Sequence, residues 1–486
     1  MDTFAKNLTF YLHVTMLNSR DHYTQKITSL SELVAYQKNP LIHTCWYGPK
    51  SSDFLDLQDV IHPTGIVSCY SSTLNSSIPL LTYDGIGERF KFSIYDLADH
   101  FVTNVEFEEF AKRNNITSIL PYDSNPQLEI FCQQNNIHIL SSLESTKNLL
   151  RDKTKIDEIS RAIGLDTIPG IPGIIDEFEF ESLTTMFGLP LFLHFAEGAG
   201  GTGNWIVYTK DEFENVKKQQ KGKRLNVKKF FNGKTCTIDI CVTPAAIFCG
   251  NLEEEIIGEE PLNSNPTEYV GSSWFENGYS YEIRRRILNI GLALGKYVRS
   301  RGFLGCFHPD FLVGDGDDIY LTELNMRFGG SCGAYNKIQI LNNRIPITLL
   351  HSIAFSDSAP SLDSEKINNE NLKPLNYGFM VLKNNFNKPV TIPHKFKSGI
   401  YSIAKNKILY TNKTKLLDMR DAETIFVSGL PESNKDTIIH KGAYMFEVIT
   451  KFPISDSKSN LNSVGRNLAQ RLYSNFIGDE CSVQYD

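Results

Sequence analysis

Along residues 1–147, short apolar runs alternate with polar, helix-like stretches. Leu8–Val14, Ile42–Tyr47, Gly65–Tyr70 and Leu80–Tyr83 read as strands. The clearest unit is Ile116–Pro121, then Asn125–Gln134, then Ile137–Leu140: strand, helix, strand. This alternation predicts a parallel sheet with helices on its faces, a Rossmann-like layer. No glycine-rich nucleotide fingerprint follows its first strand.

From 148 to 370 the pattern changes. Lys153–Ile163 has helical spacing and stops at Gly164, a C-terminal glycine. Pro169, Gly170, Pro172 and Gly173 predict a loop. Leu189–Phe195 and Trp205–Tyr208 read as strands around a glycine-rich segment, and Glu212–Gln219 as a helix. Leu225–Phe231 and Cys236–Val242 predict a hairpin turning at Asn232-Gly233. Ile283, Ile287, Leu294 and Val298 share one helical face that ends at Gly302. Phe303–Val313 and Ile319–Asn325 read as strands joined by the acidic turn Gly314–Asp318. Asp357–Asn376 is polar and rich in Pro, Ser and Asn, and is expected to be a linker. Beyond it, over 371–486, Tyr377–Leu382, Gly399–Ala404, Thr424–Val427 and Tyr444–Thr450 predict a β-rich region. A helix bearing Leu461, Val464, Leu468, Leu472 and Phe476 closes the chain. That third region shows no chemical motif.

The 486 residues call for several domains rather than one core. A hydrophobic fraction of 41% and a charged fraction of 22% argue against wholesale disorder. No apolar run is long enough to span a membrane, and the N-terminus does not read as a signal peptide. A net charge of −7 removes weight from nucleic-acid binding. Nine scattered cysteines with no CxxC pair predict reduced thiols in a cytoplasmic protein.

Three segments carry candidate chemistry. Gly198-Ala-Gly-Gly-Thr-Gly203 matches GxGxxG, but a strand rather than a helix follows it, and no GK[ST] is present. It predicts a hairpin whose tip closes over phosphates with backbone N–H groups. Asp310, followed by Glu323-Leu-Asn325-Met-Arg327, puts two carboxylates and an amide oxygen on paired strands. Glu323, Asn325 and Arg327 fall on one face. This oxygen-only set suits Mg2+ on nucleotide phosphates, and Arg327 suits developing phosphoryl or oxyanion charge. Gly329-Gly-Ser331-Cys-Gly333 matches the serine-hydrolase GxSxG pattern, but lacks the expected upstream oxyanion motif.

In this order the motifs resemble the ATP-grasp superfamily, best over Leu149 to Ser331. The layout looks most like its carboxylate–amine ligases of the amino-acid and peptide ligase branch. The resemblance implies a mixed α/β and α+β fold: a Rossmann-like pre-ATP-grasp domain (1–147), an ATP-grasp domain (148–370, with a lid subdomain at about 160–225 over a central sheet) and a β-rich C-terminal domain (371–486). It implies ATP and Mg2+ as cofactors. Lys153 matches a phosphate-contacting lysine, and His194 stands where a second such lysine is usual. Gly198, Gly200, Gly201 and Gly203 match the phosphate-covering hairpin. Lys228, Lys229, Phe230 and Phe231 match the hinge strand that reads adenine; Thr235 replaces a frequent ribose-binding acid. Asp310, Glu323 and Asn325 match the Mg2+ ligands and Arg327 the arginine that steadies the acyl phosphate. His308, two residues before Asp310, is a second catalytic candidate, with a structural role as the alternative.

The implied activity is amide or peptide bond formation between a small-molecule carboxylate and an amine through an acyl phosphate, with release of ADP and phosphate. No nucleic-acid or membrane partner is expected, and related architectures often dimerise. Two alternatives stand: an enzyme that attaches an amino acid to a protein, and a nucleotide-binding regulator without turnover. Glu253, Glu254, Glu255, Glu259 and Glu260 read as a solvated acidic loop, or else as groups that hold a cationic amine. Arg284-Arg285-Arg286 read as a solvated helix face.

Overall fold

The computed structural model describes residues 26–36, 42–48, 61–68, 78–82, 88–89, 105–196, 203–263, 265–276, 278–356, 360–404, 407–419, 423–430 and 436–477. The expected strand Leu8–Val14 lies outside them. β1 (Ile42–Gly48), β2 (Ile61–Ser68), β3 (Leu80–Thr82), β5 (Ser118–Pro121) and β6 (His138–Ile139) form a parallel sheet in the order β3-β2-β1-β5-β6. β4 (Glu88–Arg89) pairs elsewhere. Trp46, Tyr47, Phe107, Phe110 and Phe131 fill the core between this sheet and the helices Val105–Arg113 and Pro126–Gln134. Asn125 caps the second helix, its side chain accepting from the Leu128 N–H at 2.8 Å.

A four-stranded antiparallel sheet, in the order β7-β10-β8-β9, follows. It contains β7 (Gly170–Ile174), β8 (Leu191–Phe195), β9 (Asn204–Val207) and β10 (Arg224–Lys229). The Pro/Gly cluster therefore forms a strand and not the expected loop. β7 sits at the sheet edge, where a residue with no N–H is tolerated. The Gly170 backbone approaches so closely that a Cβ there would lie 2.7 Å from Lys228 Cγ. Leu191, Leu193, Val207, Phe213, Val216, Leu225 and Val227 give this module a core of its own.

The largest sheet has twelve strands. Its first part holds β11 (Gly233–Thr237), β12 (Ile240–Val242), β13 (Ile247–Cys249), β14 (Glu253–Ile257), β15 (Tyr269–Ser273), β16 (Gly305–Gly314) and β17 (Ile319–Asn325). The expected hairpin at Asn232-Gly233 does not form. β10 pairs with β7 and β8, whereas β11 pairs with β14 and β16, so this segment links the small sheet to the large one. The helix Tyr281–Arg299 covers one face with Ile283, Ile287, Leu294 and Val298. Arg284 is buried and donates to the Tyr279 carbonyl at 2.8 Å, so only part of the arginine run is solvated.

Where a linker was expected, Ser364–Glu370 is helical and Asn368 and Asn371 bond to the backbone of β13 and its flank. The large sheet then continues through β18 (Gly378–Lys383), which pairs with β15. Gly271 is required at this seam, because a Cβ would meet the Phe379 carbonyl oxygen at 2.4 Å. β20 (Gly399–Ala404), β21 (Lys407–Tyr410), β22 (Thr424–Ser428) and β24 (Tyr444–Thr450) complete the sheet. β19 (Val390–Ile392) and β23 (Thr437–Ile439) form a small sheet with β4. The closing helix Ser463–Ile477 buries Leu468, Leu472 and Phe476 and leaves Val464 exposed. Among the described residues, seven cysteines are buried and free, and no helix is long and apolar enough to cross a membrane.

Candidate active site

The site is laid out in lanes across one face of the large sheet. β11 lies between β14 and β16, so Thr237 stands opposite both Glu253 and Asp310, and Asp310 opposite Glu323 on β17. Residues opposite one another share a face. In the next lane His308 stands opposite Asn325, and Asp239, just beyond β11, reaches His308 with Oδ1 2.9 Å from Nδ1. Glu255, two residues past Glu253, lies on the same face of β14.

Asp310, Glu323 and Asn325 thus converge as their spacing predicted. Asn325 Nδ2 donates to Asp310 Oδ2 at 3.0 Å, and Lys153 Nζ lies 3.2 Å from Glu323 Oε2. Asp310 Oδ1 has no hydrogen-bond partner. Burial, opposed by His308 and reinforced by Glu323, pushes Asp310 up to about 7. Two carboxylates, one with an orphaned oxygen, and an amide oxygen fit a hard divalent ion such as Mg2+. Arg327 follows β17 and donates to the Phe328 carbonyl at 2.8 Å, to Tyr122 Oη at 3.2 Å and to Asn325 Oδ1 at 3.3 Å. Tyr122 comes from the N-terminal domain, so that domain helps to set the arginine.

His308 is buried beneath Gly329, where a Cβ would lie 2.5 Å from its ring. Burial works against its charge, but Asp239 outweighs it and holds the imidazole at about 10. It is therefore a fixed cation near neutrality and not a proton acceptor. The GxSxG serine has no nucleophile's setting. Ser331 is buried and donates to Glu253 Oε2 at 2.8 Å.

The cleft between the two sheets has a volume of about 310 Å³. His194, Lys228, Lys229, Phe230 and Phe231 line one side, and Thr235, Glu255, Asp310 and Glu323 the other. Lys228 Nζ is held by Asp157 at 2.7 Å, and the Phe231 ring meets Tyr320 edge-on. Burial, with Lys153 and Lys228 nearby, drives His194 well below its usual range, so it faces the cleft as a neutral imidazole. Gly203 is the described end of the glycine-rich turn joining the paired strands β8 and β9; Gly198, Gly200 and Gly201 lie outside the described residues.

The glutamates at 253–255 are not a solvated loop. They form the buried interior strand β14. Sequence reading also missed Tyr122, Asp239 and Lys458–Asn460, the last of which brings the third region to the cleft wall. Only the Glu253-x-Glu255 alternation carried a signal, and a run of charge normally marks solvent.

No protein-family model matches the chain. The small subunit of 2-oxoglutarate carboxylase from Hydrogenobacter thermophilus is 23% identical over 212 residues, 42% of this chain and 43% of that subunit. The match thus spans less than half the length of the curated relative. The solved biotin carboxylase domain of the same organism's 2-oxoglutarate carboxylase, in complex with MgADP, ADP and bicarbonate, superposes with a TM-score of 0.56 at 14% identity, over 85% of this chain and 86% of that one. N5-carboxyaminoimidazole synthase from Aspergillus clavatus, solved with ADP and 5-aminoimidazole ribonucleotide, gives 0.51 at 12% identity, over 85% and 94%.

The chain shares its fold with these two structures, a mixed α/β fold of the kind that the resemblance to the ATP-grasp superfamily implied. With the small sheet termed the lid and the large sheet the floor, the cleft lies between them. Both superposed structures are carboxylases or carboxyamino synthases, and neither singles out the peptide-ligase branch.

Proposed function

We propose that this chain is an ATP- and Mg2+-dependent ligase that activates a carboxylate as an acyl phosphate and transfers the acyl group to an amine, releasing ADP and phosphate. The observation that carries this reading is the convergence of Asp310, Glu323 and Asn325 at the cleft, with Asp310 Oδ1 left without a hydrogen-bond partner.

Carboxylate is a poor electrophile, and phosphorylation supplies the leaving group. A carboxylate oxygen attacks the terminal phosphorus of ATP and ADP departs. The amine nitrogen then attacks the acyl carbon, the C–O bond to phosphate breaks, and the amine loses a proton. Mg2+ held by Asp310, Glu323 and Asn325 would neutralise charge on the phosphate oxygens. Arg327, fixed by Tyr122 and Asn325, presents a preorganised guanidinium to the developing negative charge. His308, fixed by Asp239, adds a second permanent cation behind Asp310. Lys153 and neutral His194 serve as donors to the phosphates, and closing the lid excludes water that would hydrolyse the intermediate. The finer assignment, an amide or peptide bond between two small molecules in a cytoplasmic setting, rests on the ligase-like motif set.

A second reading takes bicarbonate as the carboxylate and makes the reaction an N-carboxylation. The bicarbonate complex of the superposed carboxylase domain favours it. A phosphate-release screen of the purified chain with Mg–ATP, amino-acid pairs and bicarbonate, with products identified by mass spectrometry, tests both. Release that requires both an organic acid and an amine supports the ligase. Release that needs bicarbonate in place of the organic acid supports N-carboxylation. No release under any condition overturns both.

A further inference from the structure

Three consecutive glutamates on β14 meet three different fates. Glu253 has both oxygens satisfied, one by Ser331 Oγ at 2.8 Å and the other by Ser272 Oγ. Glu254 points to the opposite face, where Ser455 and Ser459 donate to it at 2.9 and 2.8 Å. Glu255 is 9% exposed and lines the cleft, and it has no hydrogen-bond or ion-pair partner among the described residues. Its carboxylate comes within 4.8 Å of ligand atoms of His308 and Asp310, and its other charged neighbours, Glu253 and Glu323, repel it. A buried carboxylate left open in this way is costly. Capping two of three neighbouring glutamates with serine hydroxyls while leaving the one at the cleft bare is the arrangement of a group that meets its partner in a ligand.

That partner is a cation. Bicarbonate or a free carboxylate at Glu255 would meet like charge. A divalent ion has an oxygen set of its own in Asp310, Glu323 and Asn325 on β16 and β17.

We propose that Glu255 is the binding group for the ammonium of the amine substrate, so that the chain selects a cationic acceptor. The assignment rests on the ligase reading, and it names the substrate class on the acceptor side. An alkylammonium placed there donates to Glu255 and stands beside the metal set, where an acyl phosphate would form.

The experiment uses the full chain with Mg2+ and the non-hydrolysable analogue AMP-PNP, followed by thermal melting and binding titration. Mg–AMP-PNP should raise the melting temperature of wild type, Glu255→Gln and Glu255→Lys alike; if it fails with wild type, the ligase reading itself fails, and this assignment with it. With nucleotide bound, L-lysinamide is then titrated. Wild type should bind it, Glu255→Gln about tenfold more weakly, and Glu255→Lys not detectably. Equal affinity in wild type and Glu255→Gln, or no binding to a wild type that does bind nucleotide, overturns the assignment and leaves the ligase reading standing. So does a selective rise in the Mg2+ concentration needed by Glu255→Gln, which would make Glu255 a metal ligand. Tighter binding of bicarbonate than of lysinamide to wild type also overturns it.

Discussion

The two walls of the cleft are built on opposite electrostatic plans. The floor collects carboxylates on one sheet face and leaves Asp310 Oδ1 and Glu255 without hydrogen bonds among the described residues. The lid side brings cationic groups that are already committed or neutral: Lys228 to Asp157, Lys153 to Glu323, and His194 uncharged. On the floor carboxylates outnumber the His308 and Arg327 cations, and on the lid side Lys228 and Lys153 are already engaged. A nucleotide entering such a cleft must carry its own counterion, and its phosphates are held chiefly through that ion. Charge complementarity is thus completed by metal and substrate together, not by the protein alone.

The most damaging way to break the contrast is to strip the floor. Glu323→Ala and Asn325→Ala each remove one of three oxygen donors, and each is expected to lower kcat/KM by at least about 10³-fold in a phosphate-release assay. Substantial turnover in either variant would mean that the floor does not hold the ion. The same loss should follow chelation of divalent cations, and readdition should restore activity.

The next test removes the ion and varies pH. Burial raises Asp310 and Glu253 to about 7 in the fold, above the ordinary carboxylate range. The folded state then binds more protons than the unfolded chain, so these groups make metal-free stability fall as pH rises from about 4 to about 7. His308, held at about 10 by Asp239 against the effect of burial, acts in the same direction above about 6.5. Melting temperature in chelator should therefore decline with rising pH. Saturating Mg2+ should remove the Asp310 part of that slope and leave the His308 part. A melting temperature that is flat with pH in chelator would contradict the floor's charge imbalance.

The lid can be sharpened in the opposite sense. His194→Lys places a third ammonium beside those of Lys153 and Lys228 in a buried position. Without ligand the variant should melt several degrees lower, because the added charge is desolvated and repelled. Mg–ATP should stabilise it more than it stabilises wild type, and the KM for ATP should fall several-fold. Identical nucleotide response in the two proteins would mean that His194 does not face the phosphates.

The same two walls explain what could be read in the chain beforehand. Asp310, Glu323 and Asn325 were legible because period-two strand geometry and one short acidic turn fix their meeting. The lid hairpin was legible for the same reason. Glu255 was not, since a Glu-Glu-Glu run reads as solvent-facing unless it is known that β11 and β15 flank it on both sides. The Pro/Gly segment was mistaken for a loop because edge position, which makes proline tolerable, is a tertiary property. The Asn232-Gly233 pair carries a hairpin signal, yet the strands on either side find partners in separate sheets. Lys458–Asn460 reach the cleft only because the large sheet runs on from β15 into β18, bringing the third region alongside.

The smallest expected effect probes a side-chain contact by which Tyr122, just past β5 of the parallel sheet, reaches the floor. Tyr122→Phe deletes the oxygen that accepts from Arg327 at 3.2 Å while keeping the ring, which lies 5.7 Å from the guanidinium carbon. Arg327 keeps the Phe328 carbonyl and Asn325 Oδ1, so its charge stays in place and only its orientation loosens. One neutral hydroxyl acceptor is worth about 1 kcal/mol, or roughly a fivefold change. If Arg327 meets charge that develops only in the transition state, that loss falls on kcat and leaves the KM for ATP unchanged. If the arginine instead grips ground-state phosphate, KM rises and kcat holds. An unchanged pair of constants would assign Tyr122 to packing against Phe328, whose ring centroid lies 6.3 Å away, and would detach the first domain from the chemistry.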